Sequence, residues 1–294
     1  MQINKHGSFY IRTGWPTKIL DAVATDPRIF SPNSELNAVD TIGVGRVMIK
    51  AMRYWSTVLG LSDETKDQQG VIHTLSNLAS MIEKYDPFFS DIGSLWLLHR
   101  NLARCKDDAT AWYWAFNIFD ETSFTKNDFS ASLYSFLQQH GTAYNLNTVE
   151  KEFDCFKNTY VSDETFSVSK TVDEDTVPFF SPLRLIEHLG GGVYQRRKIP
   201  TKEIPAKIML AFIIMDNKGH LETNSQIGLD HLLEEPCQIC KYMNLSYSTL
   251  IEVLQKLENA GYLRLVNNFG NRYIELQHID ENTLLSEHYC VDGR

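Results

Sequence analysis

Residues 239–277 predict a helix, a turn, a second helix and then a β-hairpin: ICKYMNLSYSTLIEVLQKLENAGYLRLVNNFGNRYIELQ. The second helix carries an apolar stripe at the three-to-four spacing of one buried face. The stripe consists of Leu250, Val253, Leu254 and Leu257. Ser246 and Ser248 are both suited to cap the start of this helix, and Gly261 is suited to end it. The segments YLRLV and RYIELQ alternate around NNFGN, whose Asn and Gly residues favour a hairpin turn.

The order LSxSTxxxxLxxLExxGYL within this stretch resembles the winged-helix pattern of bacterial transcription regulators. The apolar helix predicted at 204–217, IPAKIMLAFIIMDN, would be the first helix of such a domain. The resemblance therefore implies that the chain ends in a winged-helix domain.

The rest of the chain is also predicted to be helical for the most part. Helices are expected over 14–27, 31–42, 71–89, 93–104, 109–120, 122–141 and 145–161. The alternating segment SFYIR at 8–12 predicts a short strand, and the charged segment at 60–70 predicts a polar loop. The expected fold class is mainly α with small β-wings, built from several helix-turn-helix units with a winged helix at the C-terminus.

Three domains are expected. Residues 1–115 predict an N-terminal helical domain with a helix-turn-helix, and 116–178 a middle helix-turn-helix-like segment followed by an acidic linker. That linker is SDETFSVSKTVDEDTVP at 162–178, which is rich in acids, Ser and Thr. Residues 179–294 predict the C-terminal winged-helix domain.

The composition is that of a globular protein, with 43% hydrophobic and 22% charged residues in 294. The longest uninterrupted apolar run, Ile208 to Met215, is too short to span a bilayer, and the segment MQINKHGSFY has no apolar signal region. Five cysteines at uneven spacing fit a reducing compartment better than a disulfide framework. These features predict a cytoplasmic protein that does not contact membranes.

The net charge of -9 argues against indiscriminate binding of polyanions, but the charge is unevenly spread. Residues 1–60 hold seven bases and four acids, a local charge of +3. Residues 183–210 hold six bases and two acids, which gives +4, whereas 211–294 hold six bases and twelve acids, which gives -6. The net charge therefore conceals two basic regions, because local charge decides contacts within a Debye length of about 10 Å.

The segment GVGRVMIKAMRYW at 43–55 begins like a phosphate-binding glycine loop. It has no third glycine, no GKS or GKT, and no predicted strand before it, so a nucleotide site is disfavoured. On a helical wheel the bases share one side and the large apolar residues share the other. The basic side has Arg46, Lys50, Arg53 and Thr57; the apolar side has Met48, Met52, Trp55 and Leu59. The glycines would then form the turn between two helices.

The basic side of this helix predicts a DNA-reading surface, since one side packs and the other can enter a groove. An ordinary amphipathic helix with a solvated basic face is the alternative. Arg12 and Lys18 are candidate contacts with the DNA backbone. The run QRRK offers three more candidates, Arg196, Arg197 and Lys198, or else forms a solvated loop.

The second helix of the C-terminal stretch is electrostatically unsuited to DNA. It carries Glu252 and Glu258 against one base, Lys256, and the wing adds only Arg264 and Arg272. We therefore expect the C-terminal domain to dock or dimerise with protein.

No catalytic or metal-binding pattern is complete in the sequence. Cys237 and Cys240 form one CxxC, whereas a structural zinc site needs about four ligands. The triplet Glu64-Thr65-Lys66 has the ExK spacing of some nuclease centres but is expected in a loop. His73 and His99 are expected on apolar helices as core residues, and the same holds for the tryptophans Trp96, Trp112 and Trp114. We expect no enzyme activity, no cofactor and no metal.

Several motifs over residues 8–161 resemble the bacterial domain-of-unknown-function family numbered 4007. They are SFYIRTGWPTKILDAV, IGVGRVMIKAMRYW, YDPFFSDIGSLWLLHRNLA, ATAWYWAFNIFDETSFTKNDF and TVEKEFDCFKNTYV, and the last third is compatible. The family usually has Lys-Asn where this chain has Arg46-Val47, and Trp-Leu-x-Lys where it has Trp15-Pro16-Thr17-Lys18. Genes of the family tend to lie beside sulfurtransferases similar to phosphoadenosine-phosphosulfate reductase, in DNA phosphorothioation and phage-defence clusters.

The residues and the resemblance together predict a non-catalytic, DNA-binding accessory protein of a modification or defence system, with double-stranded DNA as partner. One alternative is an adaptor that docks a sulfurtransferase or ATPase without touching DNA, and another is a transcriptional regulator. A homodimer is left open. A continuous basic stripe around Arg46 would favour DNA binding, whereas bases interrupted by acids would favour the adaptor.

Overall fold

The computed structural model describes residues 1–162, 177–268, 270–277 and 279–291. The chain divides into two compact units. Unit 1 comprises Met1–Trp114 and Glu121–Gln195, and unit 2 comprises Ala115–Asp120 and Arg196–Arg294. These bounds differ from the three predicted domains, because residues 121–195 group with the N-terminal part. Most of the predicted acidic linker, 163–176, lies outside the described residues.

Unit 1 is built mainly from helices. Its elements are α1 Trp15–Thr25, α2 Glu35–Ile42, α3 Arg46–Val58, β1 Ser62–Asp67, β2 Gly70–Leu75, α4 Asn77–Tyr85, α5 Ile92–Arg104, α6 Thr110–Asn117, β3 Ser123–Thr125, α7 Lys126–Gln139, α8 Leu146–Tyr160, β4 Ile186–Gly190 and β5 Val193–Arg196. Helix α6 and strand β5 run across the boundary between the units.

Unit 2 alternates short helices with a small sheet. Its elements are α9 Ala206–Asp216, α10 Lys218–Leu221, β6 Gln226–Gly228, α11 Leu229–Glu234, α12 Ile239–Tyr242, α13 Tyr247–Asn259, β7 Leu263–Asn268, β8 Asn271–Leu276 and α14 Glu281–Val291. The strands of both units form small antiparallel sheets, in the orders β1-β2, β3-β5-β4 and β6-β8-β7. The coarse expectation of a helical protein with small β-sheets is confirmed.

Several helix starts are set by residues whose type suits that position. Pro16 lies in the first turn of α1, where its missing N–H costs nothing. Thr125 and Asp128 form a reciprocal capping box at the start of α7. At α13 the cap is Ser246, whose Oγ accepts from the Thr249 N–H at 3.1 Å, so the alternative Ser248 is not the cap.

Three local predictions in unit 1 are wrong. The expected polar loop at 60–70 and the first part of the helix at 71–89 form the hairpin β1–β2, and only Asn77–Tyr85 is helical. The β-branched alternation of VIHTL favours a strand, and Gly70 supplies the turn at φ 125°. The segment SFYIR is not a strand, and its Arg12 forms an isolated β-bridge with Pro178.

The core of unit 1 is strongly aromatic. Trp96, Trp112 and Trp114 are buried, as predicted. His99 is also in the core, where its Nδ1 lies 3.0 Å from the Tyr160 hydroxyl. His73 is buried too, but on strand β2 rather than on a helix.

The core of unit 2 surrounds α9, in which every residue from Ile208 to Ile214 is buried. Helices α13 and α14 both pack against it. None of the helices in the described ranges is long and apolar enough to cross a bilayer.

Candidate nucleic-acid interface

The glycines of GVGRVM form the turn between α2 and α3. Gly43 ends α2 with φ 73°, in the left-handed region that favours glycine, and Gly45 precedes α3 in an extended conformation. The segment before the turn is helical, so the strand that a phosphate loop needs is replaced by α2. The glycines therefore lie in the turn between two helices, as expected.

Helix α3 has one buried and one solvent-facing side. Met52, Trp55 and Leu59 are 0% exposed, and the Trp55 indole N–H donates to the carbonyl of Phe9 at 2.9 Å. Arg46, Val47 and Lys50 are exposed in the first turns. The predicted amphipathic orientation is therefore correct for the N-terminal half of α3.

Two of the predicted DNA-facing bases on α3 lie against carboxylates. The Lys50 ammonium is 3.6 Å from the Glu35 carboxylate, although 76% of the Lys50 side chain stays exposed. Arg53 donates from Nε and Nη2 to both carboxylate oxygens of Glu64, at 2.8 and 2.7 Å. These hydrogen bonds from Arg53 lower the pKa of the Glu64 carboxyl. The fourth candidate, Thr57, is half-buried, and its hydroxyl donates to the Tyr54 carbonyl.

A chain of hydrogen bonds extends from α3 to a buried histidine. Ser56 Oγ donates to the carbonyl of Arg53, and Ser62 Oγ donates to Ser56 Oγ. His73 Nδ1 lies 2.8 Å from Ser62 Oγ, and the tautomer of the imidazole sets which of the two donates. His73 Nε2 lies 3.4 Å from the Glu64 carboxylate.

Burial lowers the pKa of His73, and the charge of Arg53 acts in the same direction, while Glu64 opposes both. The neutral imidazole packs edge-to-face on Phe30, with the ring centroids 5.2 Å apart. Through these contacts His73 helps to fix the position of Phe30 beside α3.

A cavity of about 220 Å³ lies next to this cluster. Its apolar walls are Phe30, Pro32 and Ile49, and its polar rim consists of Ser31, Glu35, Lys50 and Arg53. Four of the lining residues precede α3 in the sequence, and none of them was a predicted site residue. They are Phe30, Ser31, Pro32 and Glu35. The sequence pattern does not single these residues out, because the cavity forms only when residues 30–35 fold against α3.

The other two candidates of unit 1 lie near the start of α1. The Arg12 guanidinium stacks over the rings of Tyr10 and Trp15, at 5.1 and 5.4 Å from their centroids. Lys18 lies on α1 and is half-exposed. Helix α1 packs against α3, so both bases belong to the same unit as the basic side of α3.

The basic run of unit 2 is tied to its own unit. Arg196 donates to the carbonyl of Phe119, and burial lowers its pKa. Arg197 donates to both oxygens of Glu203, at 2.8 and 2.7 Å.

Lys198 Nζ lies 3.0 Å from Asn244 Oδ1 and 3.4 Å from the Leu245 carbonyl, and burial lowers its pKa. The alternative of a freely solvated loop at Arg196–Lys198 is therefore wrong, because these three cations hold local structure.

The acids of α13 also have structural partners. Glu258 accepts from the backbone N–H of Leu265 at 2.7 Å, and Glu252 accepts from the Thr201 hydroxyl. On the hairpin, Arg272 donates to the Tyr247 hydroxyl at 2.6 Å and lies over its ring. This surface offers an aromatic group and mixed charges rather than a row of cations.

The CxxC pair does not come together with other metal ligands. Burial raises the pKa of Cys240 to about 12, which keeps it a neutral thiol. His231 pairs with Asn217 and His220 with the Gln226 carbonyl. In the part of the chain that the structure describes, no group of three or more His, Cys, Asp or Glu side chains could hold a metal ion.

The Glu64-Thr65-Lys66 triplet lies on strand β1, so its expected position in a loop is wrong. Glu64 is engaged by Arg53 and faces His73 across the hairpin, where the two residues are directly paired. The sequence reasoning missed this hairpin and with it the partner of Arg53. The alternation in VIHTL before Ser76 was the signal that could have revealed it.

The fold and sequence are similar to those of known proteins. A family model described as "Protein of unknown function (DUF4007)" matches residues 3–289. Two solved structures, "Magnesium ion-bound SspB crystal structure" and "SspB crystal structure", each have a TM-score of 0.83 and 23% sequence identity. Each match covers 100% of this chain and 89% of the solved chain. At this identity the likeness is one of fold. No curated protein matches the chain.

Proposed function

The chain belongs to the DUF4007 family, and from this premise we propose that it is a non-catalytic, DNA-binding accessory protein of a bacterial DNA-modification (phosphorothioation) or phage-defence system. The observation that carries the proposal is the helix–glycine turn–helix unit in which α3 presents Arg46, Val47 and Lys50 to solvent. A helix that packs by one side and shows bases near its N-terminus is suited to enter a major groove.

The surroundings of the α3 bases indicate which of them can contact DNA. Arg46 and Lys50 are the side chains best suited to reach phosphate or a base edge, because both are exposed. Arg53 acts mainly by holding Glu64 and shaping the cavity. Exposed Val47 adds an apolar group of the kind that contacts thymine methyl groups.

We also propose that unit 2 is a C-terminal winged-helix domain. The order α9, β6, α11, α12, α13, β7 and β8, with β6 and β7 both paired to β8, supports it. In a DNA reader of this type α13 would be the recognition helix. Its Glu252 and Glu258 favour a protein-docking role for this domain instead.

A protein adaptor is the second candidate. It is favoured by the pairing of Lys50 with Glu35 and of Arg53 with Glu64, which interrupts the basic side of α3 with acids. In that case a sulfurtransferase-like or ATPase-like partner would make the DNA contacts. A transcriptional regulator, the third candidate, would discriminate its own site from random duplex by about 10³-fold or more.

The test is duplex binding by the purified chain, measured by fluorescence anisotropy over about 50 to 200 mM salt. Micromolar or tighter binding with a steep salt dependence supports the proposal. Absence of binding at the lowest salt, with plain and phosphorothioated duplex alike, overturns it in favour of the adaptor. Competition with random DNA separates the regulator from the accessory protein.

The alternative to a non-catalytic role is a metal-dependent nuclease. One of the similar solved structures is described as magnesium ion-bound, and Glu64 and Lys66 lie on strand β1 rather than in a loop. The bidentate contact from Arg53 occupies the Glu64 carboxylate and favours a structural role for it. A nicking assay with Mg²⁺ decides between the two.

A further inference from the structure

The cavity beside α3 combines an apolar interior with a polar rim. The wall residues Phe30 and Ile49 are each 4% exposed, so they are part of the fold. The volume of about 220 Å³ is smaller than the roughly 300–1,000 Å³ of pockets for drug-sized ligands. It is suited to one small ring system rather than to a whole nucleotide.

The charges of the rim disfavour an anion. Lys50 lies against Glu35 at 3.6 Å and Arg53 against Glu64 at 2.7 Å, so each cation at the cavity has its own carboxylate. A phosphate group needs an excess of positive charge or a set of free donors. A neutral ligand can instead use both kinds of group, because the rim offers donors from Lys50 and Arg53, an acceptor from Glu35, and either from the Ser31 hydroxyl.

The walls are held in place before any ligand arrives. Phe30 packs against the buried imidazole of His73, with the ring centroids 5.2 Å apart. The Arg53 guanidinium is fixed by two hydrogen bonds to Glu64. A site whose side chains are already positioned loses less conformational entropy on binding.

We propose that this cavity binds a single unstacked nucleobase, with the apolar walls packing on the ring and the rim hydrogen-bonding to its edge. The inference rests on the proposed DNA-binding function, and Lys50 links the two because it is both a rim residue and an exposed base of α3. Enzymes that take a base out of the stack hold it between apolar side chains and hydrogen-bond its edge in the same way.

The experiment compares three duplexes of one sequence: fully paired, with one unpaired 2-aminopurine, and with an abasic site at the same position. The expected result is about fivefold tighter binding of the unpaired base than of the abasic site, the size of one or two neutral hydrogen bonds, and a change in 2-aminopurine fluorescence. The abasic duplex controls for the flexibility of an unpaired site.

Two variants locate the effect. Glu35→Ala removes a rim acceptor, and Ile49→Phe fills the cavity; both should reduce the preference to less than about twofold while binding of the paired duplex persists. Glu83→Ala, which removes an exposed acid of α4, is the matched control for charge and should keep the preference.

Three outcomes overturn the proposal. Equal binding of the abasic and 2-aminopurine duplexes, with paired duplex still bound, rejects the base pocket alone. Retention of the full preference in both Glu35→Ala and Ile49→Phe means that the unpaired base is bound elsewhere. Absence of binding to all three duplexes rejects the DNA-binding function itself.

Discussion

Arg53 and Glu64 form a two-point contact, in which Nε and Nη2 of the guanidinium each meet one carboxylate oxygen at 2.8 and 2.7 Å. The pair joins α3 to the hairpin β1–β2 and places an acid on the side of α3 that the helical wheel marks as basic. The guanidinium is directed by Glu64, so its charge is not available to phosphate in the way that helical position alone suggests.

Removal of Glu64 should therefore strengthen DNA binding. In Glu64→Ala the Arg53 guanidinium loses its partner and one negative charge leaves the face, so we expect affinity for duplex to rise about threefold to tenfold at low salt. Anisotropy titrations measure it, with Glu83→Ala as control. Unchanged affinity would contradict a DNA-facing α3. The stability cost should be small, about 0.2–1 kcal/mol, because the pair is partly exposed.

Removal of Arg46 or Lys50 should weaken binding uniformly across duplex sequences. Each contact with phosphate contributes about one unit to the slope of log K against log salt, so Arg46→Ala and Lys50→Ala should each lower the slope by about one. Lys151→Ala, an exposed base on α8, is the matched control and should leave the slope unchanged. If all three variants behave like the parent protein, α3 does not contact DNA.

The buried imidazole of His73 predicts a dependence of stability on pH. Burial lowers its pKa in the folded chain, so the unfolded chain binds more protons as the pH falls below about 6.5. Stability should decrease from pH 6.5 downwards through this histidine and be insensitive to it above pH 7. Urea unfolding from pH 5 to 8 checks this, and His73→Gln should flatten the curve relative to the parent. A stability that falls more steeply with decreasing pH in His73→Gln than in the parent would contradict this prediction.

The turn between α2 and α3 predicts opposite effects at two glycines. Gly43 has φ 73°, where a side chain is strained even though nothing lies within 4 Å of an added Cβ, so Gly43→Ala should cost about 1 kcal/mol. Gly219 lies in α10 with no such φ and equally open space, so Gly219→Ala should be neutral or stabilising. Chemical denaturation measures both, and equal effects would mean that backbone strain at Gly43 is not the cause.

A non-catalytic role predicts that supercoiled plasmid stays intact. We expect no conversion to open circles when the chain is incubated with plasmid and Mg²⁺, beyond the level seen with EDTA. Conversion to open circles that requires Mg²⁺ and disappears in Glu64→Ala would mean that the protein is a nuclease. Persistence of the conversion in Glu64→Ala would point to contamination or to a different group.

Features set by local sequence could be predicted. The amphipathic sides of α3, the glycine turn before it, and the helix, turn, helix and hairpin of 239–277 all follow from residues within one or two turns of each other. The aromatic core around Trp112 also follows, because large apolar residues at helical spacing are buried. The hairpin β1–β2 was missed because its first strand consists of charged, exposed residues that read as a loop.

The candidate site could be predicted only in part. Sequence periodicity placed Arg46, Lys50 and Arg53 on one side of α3, but their carboxylate partners come from other elements. Glu35 belongs to α2 and Glu64 to the hairpin, so neither contact has a signature in the spacing of the bases. Phe30 and Ser31 line the cavity for the same reason, since a concave surface arises from packing between segments.

Helix α9 has no side that faces water along its buried stretch, from Ile208 to Ile214. The helix can meet solvent only when its neighbours leave it, so we expect α9 to unfold only together with the rest of unit 2. Its amide protons should then exchange at the rate of complete unfolding of the unit. A chain cut before α14, which packs against α9, would expose this apolar helix and aggregate rather than yield a smaller folded domain.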